Sequence, residues 1–242
     1  MTNRIADTSQ NKAARVAGLV YLLTIIPSLL LFVFVDSKIT VEGNVAATIN
    51  NMIANQLLSR IGPAYEIIMY TSIVILALAL YVTLKPVNKN LALLALLWRF
   101  GEAIIGGVVV LCLLVILLLI NDKGYSTAFN AEQLQALAGL LLDVVWAARM
   151  ILFVFISLGS IVFFYLFFKS NYIPRILAAW GIFTYMSMLI YAFVYFLLPN
   201  FAEMITIFAL APGSLFEIVI GFWLLFKGVN VEQWEKRALE SA

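Results

Sequence analysis

Histidine is absent from the 242 residues of this chain, and cysteine occurs once. Without an imidazole, histidine-ligated haem, the usual zinc sites and any Ser-His or Cys-His catalytic pair are excluded. The lone Cys112 cannot close an internal disulfide and lies inside an apolar run, so it reads as packing and says nothing of redox compartment. No cofactor and no metal are expected from such a set of donors. Charge is scarce too. Asp, Glu, Lys and Arg make up 12% of the chain, where a soluble domain carries about 25%. The net charge of +2 is spread between apolar runs with no basic face, which leaves a nucleic-acid partner without support.

What the chain has in excess is hydrocarbon. Apolar residues make up 64% of it and the mean hydropathy is +1.04, which places it in a bilayer. Runs such as 108–120 do not alternate between apolar and polar, as barrel strands must. The expected fold is all-α, a polytopic membrane bundle with six transmembrane helices. These fall at about 16–35, 61–84, 91–120, 144–168, 176–198 and 206–226, between a leader at 1–15 and a tail from 228 to 242.

The first run is 20 residues long and is followed by Asp36-Ser37-Lys38, so it should persist as a span rather than be cleaved, with a bend near Pro27. The second stops at Lys85-Pro86, and a short turn to the third predicts an antiparallel pair. Between the first two spans, Val45, Ile49, Met52, Ile53 and Leu57 recur at helical spacing. That segment is either a helix lying on the membrane surface or a compact loop packed on the bundle end. Asn130 with Gln133 has the form of a capping box. The apolar stretch that follows is too long for one span, so either 131–142 lies outside the bilayer or Gly139 marks a bend. Pro212-Gly213 should interrupt the sixth span.

Basic residues set the orientation. Arg4, Lys12, Arg15, Lys85, Lys89, Lys169, Arg175, Lys227, Lys236 and Arg237 hold 10 of the 15 at one end, against Lys38, Arg60 and Lys123 at the other. Both termini should therefore be cytoplasmic. A faint internal echo is also visible. Tyr81-x-x-x-Lys85, a turn and Trp98 parallel Tyr165-x-x-x-Lys169, a turn and Trp180. Repeat-built transporters show such echoes, but these residue types collect at any membrane interface.

The charges inside the spans are the candidates for function, because an ionisable residue at mid-membrane costs about 2.5–3.5 kcal/mol and needs a partner or a wet cavity. Arg99 lies ten residues past Lys89, and Glu217 ten residues before Lys227. Each is thus roughly 15 Å in from the same end. Glu102 follows Arg99 by one turn on nearly the same face. Nearer the other end, Glu66 and Arg149 match in depth, as do Arg60 and Asp143. This predicts that the second and fourth spans touch through two acid–base pairs, one buried and one near the surface. The inner cluster of Arg99, Glu102 and Glu217 either fixes helix register or lines a polar cavity for an ion, a proton or an anionic head group. Glu102 and Glu217 could also act as an acid–base pair on a substrate if they lie close together. No nucleophile stands beside a base: Ser157, Ser160, Ser187 and Ser214 are isolated hydroxyls, expected to bond their own helices.

Five stretches carry a family resemblance. They are Arg15-Val-Ala-Gly-Leu-Val-Tyr-Leu, Leu84-Lys-Pro-Val-Asn88, Trp98-Arg-Phe-Gly-Glu102, Tyr172-Ile-Pro-Arg-Ile-Leu177 and Trp223-Leu-Leu-Phe-Lys-Gly228. In order and spacing the chain resembles the domain-of-unknown-function 4386 family over about 12–229. The resemblance implies a multi-pass protein of the bacterial inner membrane with no established activity, and it supplies no catalytic residues. The functional expectation is a non-catalytic carrier, a lipid or small-solute binder, or a partner subunit. The alternatives are a membrane-embedded enzyme acting on a lipid and a purely structural scaffold. The expected partners are the lipid bilayer itself and a small solute or lipid ligand.

Overall fold

The computed structural model describes residues 3–121, 124 and 129–233. The end of the tail, with Lys236 and Arg237, and Lys123 in the loop after the third span lie outside the described residues. Among the described residues all regular structure is helical. Six helices are long and apolar enough to cross a membrane. The first is α1 (Asn3–Leu31), which passes into a π-helical turn at Phe32–Asp36. A short helix α2 (Val45–Ala54) follows, and then α3 (Gln56–Leu84), α4 (Lys89–Asn121), α5 (Ala131–Ser170), α6 (Arg175–Leu197) and α7 (Pro199–Phe222). A second π-helical turn, Trp223–Lys227, ends α7.

The spans pack in chain order. α1 lies against α3, α3 against α4, α4 against α5, α5 against α6 and α6 against α7, and α7 returns to α1. The result is a ring of six helices. It closes where Gly18 of α1 meets the backbone of Gly221 and Leu224–Leu225; a Cβ on Gly18 would collide with the Leu225 nitrogen. The start of α1 and the segment after α7 meet at this end, where the backbone N–H of Val229 donates to Asn11 Oδ1. Here one continuous core links all six spans, through residues such as Tyr21, Leu80, Ala95, Phe163, Tyr185 and Phe216. Toward the far end the core divides. Val35, Ile49, Met52, Ile116 and Ala138 gather α1, α2, α4 and α5, whereas Met150, Tyr191, Ala202 and Ala209 gather α5, α6 and α7.

Several local expectations give way to one physical fact. In hydrocarbon a broken helix exposes backbone groups that nothing can satisfy, so the chain stays helical through its prolines and glycines. Pro212-Gly213 does not interrupt the sixth span: α7 runs from Pro199 through Pro212, and Gly213 packs on Thr184 and Met188. Pro27 likewise lies inside α1, where the Thr24 carbonyl beside the lost bond accepts from the hydroxyls of Ser28 and Tyr65. Gly139 does not interrupt the helix. α5 is a single helix of 40 residues, capped by the reciprocal Asn130–Gln133 box, and is roughly 60 Å long. Its excess length meets α2, because Gly139 is where Val45 comes to within 3.0 Å of a notional Cβ. The 36–60 segment therefore resolves as a capped helix packed on the bundle end, with Asn44 accepting from the Ala47 N–H and Ile49 and Met52 buried.

Two glycine substitutions test this packing. Gly18→Ala should destabilise the bundle by about 1–3 kcal/mol, because its Cβ meets backbone rather than a flexible side chain. Gly107→Ala, with open space at its Cβ, should be neutral or stabilising by up to about 1 kcal/mol. Unfolding in mixed micelles measures both; equal effects would contradict the proposed closure at Gly18.

Candidate functional site

Arg99 and Glu102 sit on one face of α4, three residues apart, with Arg99 Nη1 2.8 Å from Glu102 Oε2. Both side chains are almost fully buried, at 3% and 1% exposure. α5 is shaped to receive the arginine. A Cβ on Gly159 would collide with Arg99 Cγ at 2.8 Å, so the absent side chain makes room for the aliphatic stem. The next residue, Ser160, accepts a 3.4 Å hydrogen bond from Nη1. The contact with Glu102 is close but poorly aligned, and Oε2 has no hydrogen-bond partner among the described residues.

Glu217 comes to the same region from α7. It makes no ion pair of its own among the described residues; its Oε1 accepts a 2.8 Å bond from the Tyr185 hydroxyl of α6. Arg99, Glu102, Tyr21 and Tyr185 all lie within electrostatic reach of it. The side chain is half-buried, unlike the Arg99–Glu102 pair. An aromatic plug surrounds Tyr185. Phe164 stacks on Tyr185 with centroids 5.8 Å apart, and Phe216 meets Phe164 edge-on at 4.9 Å. Gly181 leaves the space for both rings.

Sequence reasoning missed Tyr21, Tyr185, Gly159 and Ser160. The depth count that located Arg99 and Glu217 contains the signal for three of them. Tyr185 is ten residues past Arg175, Ser160 nine before Lys169 and Tyr21 nine past Lys12. All therefore fall in one layer roughly 15 Å from the terminal end. Gly159 leaves no such trace, because its role is the volume it does not fill. The hydroxyls also behave unevenly. Ser187 donates to its own helix at Thr184, whereas Ser160 serves Arg99, and the buried Ser157 and Thr184 hydroxyls have no partner among the described residues. No serine or threonine hydroxyl is seen bonded to a carboxylate among the described residues; the hydroxyl that meets one is that of Tyr185, on Glu217.

The outer charges divide. Arg149 Nη2 lies 2.5 Å from Glu66 Oε1, linking α5 to α3, and the guanidinium also stands over the Trp146 ring at 5.9 Å. Arg60 and Asp143 do not pair. Both are exposed, and no ion pair joins them among the described residues. Equal depth failed there because α4 stands between α3 and α5, which touch each other only slightly. The long Arg149–Glu66 pair spans that distance, and nothing forces a second bridge where water can solvate both charges.

A ring of six apolar helices around a charged layer defines a multi-pass helical membrane protein. More particularly, the chain belongs to the family described as domain of unknown function (DUF4386), whose model matches residues 16–228. Neither a curated protein nor a solved structure gives a match.

Removing one member of the buried pair should be costly. Arg99→Ala is expected to lose about 3–5 kcal/mol of stability by stranding Glu102, whereas the joint change Arg99→Met with Glu102→Leu should lose markedly less. Arg60→Ala should stay within about 0.5 kcal/mol of the parent. Denaturation in mixed micelles measures all three, and a harmless Arg99→Ala would contradict the pairing.

Proposed function

We propose that this protein is a non-catalytic binder or carrier of a small cation or proton-bearing solute, working at the Arg99–Glu102–Glu217 layer. The observation that carries the reading is the surplus acid. Arg99 already has Glu102 on its own helix as its ion-pair partner, so Glu217 is not needed to neutralise it. Glu217 then brings a second carboxylate into the same low-dielectric region, held by a neutral hydroxyl and only partly exposed. One guanidinium against two carboxylates leaves the layer short of positive charge, and a cation or a proton supplies it. Beside the poorly aligned Arg99 contact of Glu102 Oε2, the buried Ser157 and Thr184 hydroxyls have no partner among the described residues. Each such group costs about 1–3 kcal/mol until something meets it. The core that is continuous at the terminal end and divided at the far end supports access from the far side, with the Phe164–Tyr185–Phe216 plug beneath. We also propose a bacterial cytoplasmic membrane, as the family resemblance implies, with both termini cytoplasmic on the strength of the basic residues at that end.

Proteoliposomes with an entrapped pH-sensitive dye test this directly. The wild-type chain should speed proton entry, or proton movement coupled to sodium or potassium, over empty vesicles. Glu217→Gln should lower that rate at least tenfold while eluting as the same folded species. Equal rates for Glu217→Gln and wild type, or no acceleration by the wild type with any of these ions, would overturn the reading.

A further inference from the structure

A second polar site lies at the terminal end, where the α5–α6 turn meets the end of α7. It is a crevice of about 440 Å³, whose walls include Asn171, Arg175, Trp223, Lys227, Gly228 and Asn230. Its lining holds two cations and no acid. Among the described residues neither Arg175 nor Lys227 has an acidic partner.

Each wall is built by an identifiable local device. Asn171 adopts the left-handed conformation that ends α5, at φ 56°, and its Oδ1 accepts a 2.7 Å bond from Arg175 Nε. That bond, with the Phe168 ring 5.6 Å below the guanidinium, holds Arg175 in place and leaves its two terminal nitrogens to other acceptors. On the opposite wall the π-helical turn ends at Gly228 with φ 68°, and the chain is then tied back by the Asn230 N–H donating to the Tyr172 carbonyl at 2.9 Å. The turn thus carries Lys227 to the same opening. α6 also starts here, with Pro174 at its N-cap supplying no side-chain cap, so the positive end of the helix adds to the two side chains.

We propose that this crevice binds a phosphate-bearing anion, and that the anion is the head group of an acidic phospholipid. Arginine offers a planar fork to phosphate oxygens and lysine a point charge, so the pair suits a phosphodiester. The lipid source follows from what flanks the cations. Ile176 is 82% exposed and Phe226 68% exposed, and Phe226 stacks on Phe222. Acyl chains can lie along that surface while the head group enters between Arg175 and Lys227. Trp223 in the wall is the residue type that favours the head-group level of a bilayer. This site is separate from the Glu217 layer, and its test does not depend on transport.

The full chain, purified in detergent, is titrated with phosphatidylglycerol, with phosphatidylcholine and with inorganic phosphate while its thermal midpoint is followed. Phosphatidylglycerol should raise the midpoint, and phosphatidylcholine and inorganic phosphate at equal concentration should not. The joint change Arg175→Gln with Lys227→Gln should weaken the apparent phosphatidylglycerol affinity roughly thirtyfold, and Lys227→Gln alone roughly fivefold. Lys89→Gln, at the same end but outside the crevice, should leave it unchanged. Both crevice cations are exposed, so these variants should fold as the parent does. An equal shift with inorganic phosphate would overturn the lipid source while keeping the anion chemistry. A phosphatidylglycerol response unaltered in the double variant, or lost equally with Lys89→Gln, would overturn the site itself.

Discussion

The interaction on which the middle of this bundle depends is the burial of Arg99. A guanidinium cannot be neutralised by giving up its proton, so it must be compensated where it lies. Compensation takes three forms at once: Glu102 one turn along, Ser160 across the interface and the missing side chain of Gly159. The last two belong to α5, so accommodating the charge also brings α4 and α5 close together. Gly101 repeats the device one step away, where a Cβ would meet the Phe155 ring at 2.6 Å. In lipid there is no hydrophobic drive to press helices together, so such polar contacts and small residues take over that task.

The ring follows from connection length. Short turns after α3 and α5 force antiparallel neighbours, and each span then packs on those adjacent in sequence. A ring of this kind places the first and last helices side by side, and Gly18 and Gly221 supply the close approach that closes it. It also gives the molecule two unlike ends. One is filled by a single core and a plug of aromatic rings, and toward the other the core is divided among several smaller clusters.

How far the site was legible depends on the kind of interaction. Charges in an apolar helix announce themselves, because few other positions tolerate them, and counting residues from the nearest cation put Arg99 and Glu217 at one depth. The same count would have found Tyr185, Ser160 and Tyr21, whose hydroxyls are less conspicuous among many polar-tipped residues. It misled for Arg60 and Asp143. Depth is a coordinate along the membrane normal, and pairing also requires adjacency around the ring. Glu66 and Arg149 meet both conditions, and Arg60 and Asp143 meet only the first.

The amino-acid sequence by itself determined the class of the protein, its six spans, the family it belongs to and the absence of imidazole chemistry. These rest on hydropathy, length and residue type, which are properties of the chain one stretch at a time. Only the tertiary structure decided that Pro27, Gly139 and Pro212 leave their helices unbroken, that Glu217 pairs with Tyr185 rather than directly with Arg99, and that Arg175 and Lys227 face one crevice. The physical reason is the same in each case. Whether a backbone gap is filled, or a charge finds its partner, depends on which faces of different helices are brought together, and no single stretch of sequence carries that information.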